Sequence, residues 1–466
     1  MNTFSDSYQA DTRQQTALMF LLVPTAACLI YFLAASQFSN WGIVTIFLGV
    51  LFFLFSFFSI KTGLILMAFS MLFSPEFSIG RVGFRSIIIR AEDILIPLLA
   101  LAWVARLTIR REFRLFAHSP LNMPIVVLIF LSCFSTIRGA FTGWVSPLPG
   151  FFYIFKTVEF FMIFFLVVNY VRTEQEVKVF LFVAVLIVFL IGLYTLKQVP
   201  SVEIFSEHRI SAPFEGSPEP ATMGGYMAFF LLILLGLFLY EQSRAKKWFY
   251  LLVGIVTFIP FIYTLNRTSY IALIGGAIFM SLTAKKKWLL ATVLGILILS
   301  PFVAPQSVKD RIAYTWQDAV NPGREIGVDA ASQERVYAYT KMWKTARSSP
   351  LIGWGVTSWD NPDSQYARII HETGFLGLGL WLWIFWRLFR MAQWLFGSLE
   401  GSLKGMALGY MAGVLGILLH GFGAITFYIV RIMEPFWFVS GLVVSMYLIK
   451  IDEVSQTVVE KEVLNP

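Results

Sequence analysis

Apolar runs of about 20 residues recur from one end of this chain to the other, and a run of that length crosses a bilayer as a helix. The fold expected is therefore all-α: a polytopic transmembrane helix bundle. Composition agrees, because 57% of the 466 residues are hydrophobic and 14% are charged, where a soluble domain carries about 25% charged residues. The runs lie near 16–36, 41–60, 62–75, 92–107, 121–139, 151–171, 178–196, 223–241, 248–264, 269–284, 288–305, 371–390, 404–422 and 430–449. They give about 12–14 spans, with 62–75 short enough to be a half-span or a re-entrant segment.

The organisation read from this pattern has four parts. Residues 1–305 form an N-terminal transmembrane bundle, 306–370 one large polar loop, 371–449 the C-terminal transmembrane helices and 450–466 a tail. A loop as long as 306–370 is costly to keep ordered unless it serves a purpose. Met1–Gln15 is polar and Thr16–Ser36 is long enough to stay as an anchor, so no cleaved leader is expected. Cys28 and Cys133 both fall inside apolar runs and read as small core residues, not as a disulfide or metal pair.

Basic residues fix the orientation. Arg106, Arg110, Arg111 and Arg114 form one cluster, and Arg244, Lys246 and Lys247 a second. Lys285, Lys286 and Lys287 form a third, and Arg387, Arg390 and Lys404 a fourth. Counting spans puts all four on one side, the cytoplasm, together with both termini. The net charge of +8 is thus explained by topology, and no nucleic-acid partner is expected. The outer side receives 76–91, 140–150, 197–222, 265–268, 306–370 and 423–429. Segment 76–91 reads as an interfacial helix or a short hairpin. In 335–347, Val336, Tyr339, Met342, Trp343 and Ala346 share one helical face, as in an amphipathic helix on the outer leaflet.

Arginines on the outer side run against the charge bias, so each needs a reason. Arg209 precedes a span, and Arg267 sits in the short loop Asn266-Arg267-Thr268-Ser269. Guanidinium groups at that depth match the oxygens of a lipid-linked pyrophosphate; headgroup contact is the plainer alternative. Asp363, shortly before the next span, has the chemistry of a general base toward a sugar hydroxyl, although Asn361-Pro362-Asp363-Ser364 also reads as a simple turn. His371 and Glu372 open a span rich in small residues, where Gly374, Gly377 and Gly379 would allow close helix packing. Lys156 with Glu159, and Arg431 with Glu434, are three apart inside apolar runs and can pair on one helix face.

Taken in order, these parts resemble the O-antigen ligase/polymerase superfamily. Arg209 followed by Gly216, Pro218 and Gly225-Tyr226 is similar to the family's entry to a span. Arg267-Thr268-Ser269 resembles its short arginine loop, and Arg335 with Trp343, Pro350 and Gly353-Trp354-Gly355 its next motif. Asp363-Ser364-Gln365-Tyr366 then Glu372-Thr373-Gly374 is similar to its closing motif.

The resemblance implies a GT-C-like membrane glycosyltransferase acting at the periplasmic face of the bacterial inner membrane, without metal, nucleotide sugar or other cofactor. Its donor would be an undecaprenyl-diphosphate-linked saccharide and its acceptor a saccharide or lipid A-core. Membrane lipids and a chain-length regulator would be its other partners. Arg267 and Arg209 would hold the diphosphate and Asp363 would act as base, with Arg335, Tyr366, His371, Glu372 and Glu215 binding substrate. Asp363 and Ser364 stand where the family's ligases carry His-Asn, which favours a polymerase of an exopolysaccharide or O-antigen over a ligase. A non-enzymatic flippase of lipid-linked sugar is the reading from another class; it would use polar groups such as Lys156 and Glu159 at mid-membrane.

Overall fold

The computed structural model describes residues 40–82, 85–110, 117–202, 209–215, 219–317, 330–359 and 363–464. The expected first span at 16–36 lies outside these residues, as do Cys28, Arg111, Arg114, Gly216 and Pro218. The apolar runs fold as helices: α1 (Asn40–Phe58), α2 (Ile60–Phe73), α3 (Glu92–Arg110), α4 (Asn122–Phe141), α5 (Pro147–Tyr170), α6 (Glu174–Leu196) and α7 (Pro220–Tyr240). The chain continues through α8 (Arg244–Ile262), α9 (Arg267–Thr283), α10 (Lys287–Val303), α11 (Gln306–Gln317) and α12 (Ala330–Ala346). It ends with α13 (Gln365–Ser398), α14 (Gly401–His420) and α15 (Val430–Leu464).

Among the described residues eight helices, α4–α8 and α13–α15, are long and apolar enough to cross a membrane. The pair α10–α11, bent by 92°, would make a ninth. With 14 residues, α2 is too short to cross alone, in keeping with the half-span expected there. An all-α polytopic bundle is therefore what the chain builds. One antiparallel hairpin is the exception: β1 (Glu76–Val82) pairs with β2 (Arg85–Arg90), with Glu76 opposite Arg90 and a bulge between Ser78 and Gly80. Segment 76–91 is thus a hairpin and not an interfacial helix.

The described residues fall into two compact units, 40–64 with 93–110 and 65–92 with 117–464. In the first, a Cβ at Gly63 would meet Ser56 and Leu99, and Arg106 donates to the Phe58 carbonyl at 3.3 Å. The second is built around α7, which is buried almost along its whole length. A Cβ at Gly405 would fall 2.4 Å from the Gly236 carbonyl oxygen, and one at Gly409 would fall 2.6 Å from the Ile233 Cα. The absence of side chains there lets the α14 and α7 backbones touch. At one end of this unit the Tyr240 ring takes Lys286 at 5.3 Å and Lys404 at 5.8 Å. Three loops bearing basic clusters therefore share that end, as the charge pattern requires.

At the opposite end α13 breaks. Gly374 has φ +70° and ψ −171°, a conformation that only glycine adopts without strain. The break leaves the His371 and Glu372 carbonyls free to accept from Trp354 N–H at 2.9 Å and Gly355 N–H at 2.8 Å. The loop 349–359 so held also grips α4. Ser135 Oγ lies 2.7 Å from both the Ile352 and Glu372 carbonyl oxygens, and Arg138 donates to Ser349 Oγ at 2.6 Å and to the Gly353 carbonyl at 2.8 Å.

Three expectations change here. His371 and Glu372 do not open a span; they lie in the second turn of a helix that starts at Gln365, ahead of the break. The glycines do not form a packing face either, since Gly374 meets the Leu351 carbonyl, Gly377 its own helix's Thr373, and Gly379 has nothing within 4 Å. The face of α12 expected on lipid is also turned inward in part. Met342 and Ala346 are buried with Ala338 against Trp359, Ala367 and Ile370, with Tyr339 alongside, while Val336 and Trp343 stay exposed. The amphipathic period reports a protein neighbour, α13, as well as the exterior.

Replacing Gly374 with Ala should cost at least about 1–3 kcal/mol, because the backbone strain adds to a Cβ placed 2.2 Å from the Leu351 oxygen. Thermal unfolding of the detergent-solubilised protein measures this, and an unshifted Tm would disprove the strain argument.

Candidate functional site

Ser364 ends the polar loop in an extended conformation, φ −150° and ψ 123°, and its hydroxyl accepts from Ala367 N–H to start α13. Asp363 precedes this cap and is half-buried. Burial pushes its carboxyl above the ordinary aspartate range, against the pull of Arg335 and of a hydrogen bond with Glu334. A more basic carboxylate is better matched to proton abstraction near neutral pH.

Arg335 extends from α12, and its Nη2 donates to the Gly423 carbonyl at 3.2 Å. A Cβ at Gly423 would fall 2.6 Å from Thr268 Oγ1 and 3.1 Å from Arg335 Nε. Thr268 follows Arg267, the first residue of α9, and Asn266 caps that helix by accepting from Ser269 N–H at 2.9 Å. The start of α9, Arg335 and the turn after α14 thus meet at one point, with Asp363 in the field of Arg335. A helix N-terminus and guanidinium groups there suit an anion.

The other expected residues divide among separate settings. Arg209 lies two residues before Ser211, which Gln198 pins by accepting from its N–H at 2.9 Å and donating to its carbonyl at 3.2 Å. Glu215, further along the chain, accepts from Ala212 N–H at 2.9 Å. Burial pushes its carboxyl up to about 7, opposed by Arg431. Arg431 is fully buried; it donates to the Pro213 carbonyl at 3.3 Å and pairs with Glu76 of the hairpin at 3.3 Å. Arg431 therefore reaches beyond its own helix and is not confined to the Glu434 pairing that the spacing suggested. The Lys156–Glu159 pair forms as expected, at 3.5 Å.

Glu372 is buried and fully engaged. One carboxylate oxygen accepts from Thr357 N–H at 2.9 Å and Arg368 Nε at 3.0 Å, and the other accepts from the Tyr428 hydroxyl at 2.8 Å. His371 faces α12: its Nδ1 lies 2.9 Å from Thr345 Oγ1 and its ring meets Trp359 at 5.0 Å. The Tyr366 hydroxyl donates to the Leu418 carbonyl. These three side chains bond to the surrounding frame, whereas Arg335, with Asp363 in its field, reaches the turn beside the start of α9.

Sequence reasoning passed over Arg368, Tyr428 and His420. The guanidinium of Arg368 stacks 3.8 Å from the Tyr428 ring. Arg368 falls within 306–370, read from the sequence as a polar loop, so its charge carried no signal there; nothing in sequence spacing points to the other two.

Residues 255–382 match the family described as O-antigen ligase. The resemblance to the O-antigen ligase/polymerase superfamily is thereby shown. The match takes in Arg267, Arg335, Asp363, Tyr366, His371 and Glu372, and stops short of Arg209, Glu215 and His420. No curated protein matches the chain. The family and the eight apolar helices fit a multi-pass membrane ligase or polymerase of glycosyltransferase type.

Glu215 gives a pH prediction. Its carboxyl lies near 7 in the folded protein against 4.5 ordinarily, so the folded state holds the extra proton between those values. Stability from this group is full below 4.5 and is lost as pH rises through 7. Tm should therefore fall between pH 5 and pH 8, and Glu215→Gln should flatten that part of the curve; an identical slope in the variant would count against it.

Proposed function

We propose that the protein polymerises undecaprenyl-diphosphate-linked saccharide repeats, of an exopolysaccharide or O-antigen, at the periplasmic face of the inner membrane. The observation that carries this reading is the meeting of Arg335, the Arg267 helix start and Asp363 inside the family-matched segment. Sharing of one end by three basic loops supports a cytoplasmic location for that end and a periplasmic one for the site.

In the reaction, the acceptor hydroxyl oxygen attacks the anomeric carbon of the donor as the bond from that carbon to the diphosphate oxygen breaks. Asp363 takes the hydroxyl proton. The diphosphate leaves as an anion held by Arg267, Arg335 and the amides at the start of α9, with Arg209 as a third arginine on it. This is general base catalysis with electrostatic stabilisation of a leaving group, and no metal is asked to take part. Both termini lie in the cytoplasm on this reading. The description of the matched family favours a second reading, transfer of finished glycan to lipid A-core.

Deleting the gene and separating surface glycans and lipid-linked intermediates on gels distinguishes the two. Loss of long polymer, with single repeats still transferred or left on the carrier, is the expected outcome. Long polymer that accumulates on the carrier and never reaches lipid A-core would establish the ligase instead. In complementation, Asp363→Asn should lower turnover by roughly 10²–10⁴-fold while donor binding persists. Arg267→Ala and Arg209→Ala should abolish polymer, and Arg267→Lys should do poorly because lysine lacks the bidentate fork. Wild-type polymer from the arginine variants would remove the diphosphate role.

A further inference from the structure

A chain of hydrogen bonds through His420 and Thr426, which lie beyond the family-matched segment, joins the two halves of the proposed site. Asn266 Oδ1 can only accept, and it takes both the Ser269 N–H at 2.9 Å and the Ser269 hydroxyl at 3.0 Å. The Ser269 oxygen therefore has only lone pairs to offer His420, whose Nε2 lies 3.1 Å away. Nε2 must carry the hydrogen, and Nδ1 of the neutral ring must accept. Its partner is the Thr426 hydroxyl at 2.8 Å, much nearer than the Ala424 carbonyl that competes for the same hydrogen at 3.4 Å. The tautomer of His420 is fixed by the partners on either side.

The far end of the chain reaches the helix that follows Asp363. Thr426 begins a short 3-10 turn, Thr426–Tyr428. From that turn Phe427 N–H donates to Gln365 Oε1 at 2.9 Å, and Tyr428 binds Glu372. Gln365 N–H donates in turn to the Gly421 carbonyl at 3.0 Å, one residue after His420. Ser269, His420 and Thr426 are each at most 1% exposed. A Cβ on neighbouring Gly225 would fall 3.0 Å from the imidazole Cε1, so no substrate fits beside the ring.

We propose that His420, as the neutral Nε2–H imidazole, is a positioning residue that sets the first turn of α9 against the first turn of α13, and so Arg267 against Asp363. It touches no substrate. The inference rests on the reading that Arg267 holds the diphosphate, and its test separates the two.

Two substitutions divide the imidazole. His420→Gln places a donor near the Nε2 position and keeps the bond to Ser269; His420→Asn places an acceptor near Nδ1 and keeps only the bond to Thr426. Amide exchange at 267–271, read by mass spectrometry on the full chain in nanodiscs, reports the helix start directly. Undecaprenyl diphosphate binding to the same samples reports its consequence. Losing one buried hydrogen bond corresponds to roughly tenfold. His420→Asn and His420→Ala should therefore exchange about tenfold faster at 267–271 and bind the lipid about tenfold more weakly, whereas His420→Gln should stay within about threefold of wild type in both. Wild-type exchange in His420→Ala, or rescue by Asn and not by Gln, overturns the proposal. Lipid binding unchanged by Arg267→Ala would instead overturn the diphosphate reading, and the exchange pattern would still decide whether His420 holds the helix.

Discussion

The break in α13 at Gly374 is the constraint on which the polar end of the bundle depends. A continuous helix would consume the His371 and Glu372 carbonyls in its own ladder. Because the chain turns at Gly374, those carbonyls bind the amides of Trp354 and Gly355, and the loop is drawn onto α4 and α13. The nine residues of α13 ahead of the break then stand as a separate short helix. Its side chains can be aimed at α12 on one face and at the turn after α14 on another. Glu372 exploits this by binding three elements at once: its own helix through Arg368, the loop through Thr357 and the 3-10 turn through Tyr428. A buried carboxylate is tolerable only with such complete satisfaction.

Charge is distributed to match. At the basic end, cations lie over aromatic rings and in short loops, where they serve topology. At the other end, arginines are buried or half-buried and bound to backbone carbonyls and carboxylates. The hairpin shares in this arrangement, because Glu76 accepts from both Arg90 and Arg431 and so ties β1 and β2 to the last helix.

The helices were legible in the sequence because burial in lipid leaves an unmistakable period and length. The hairpin was open between two forms, since Arg81, Arg85 and Arg90 around three isoleucines fit either. Residues that pair within one helix, Lys156 with Glu159, were found by spacing alone. Arg431 was only partly read by the same rule, because its partner Glu76 is over 350 residues away in the chain. His420 and Tyr428 escaped for the same reason, because a long-range hydrogen bond leaves no local pattern. Asp363 and Arg267 were singled out by position at loop–span junctions, which is a property of sequence, while the role of Glu372 as a joint needed coordinates.

The presence of Asp363-Ser364, where the resemblance implies His-Asn, also acquires a physical account. His371 is the only histidine near the closing motif in this sequence, yet it cannot stand in for the missing one. Its ring is 2% exposed, packed on Trp359 and bonded through Nδ1 to Thr345. It points toward α12, whereas Asp363 lies on the loop side of the Ser364 cap, in the field of Arg335. Of the two groups, Asp363 is the one coupled to Arg335, which reaches the turn beside the start of α9. Burial raises its carboxyl, which recovers part of the basicity that an aspartate otherwise lacks beside an imidazole. The proposed reaction accordingly assigns the base work to a carboxylate tuned by its surroundings, while His371 packs against α12 and Trp359.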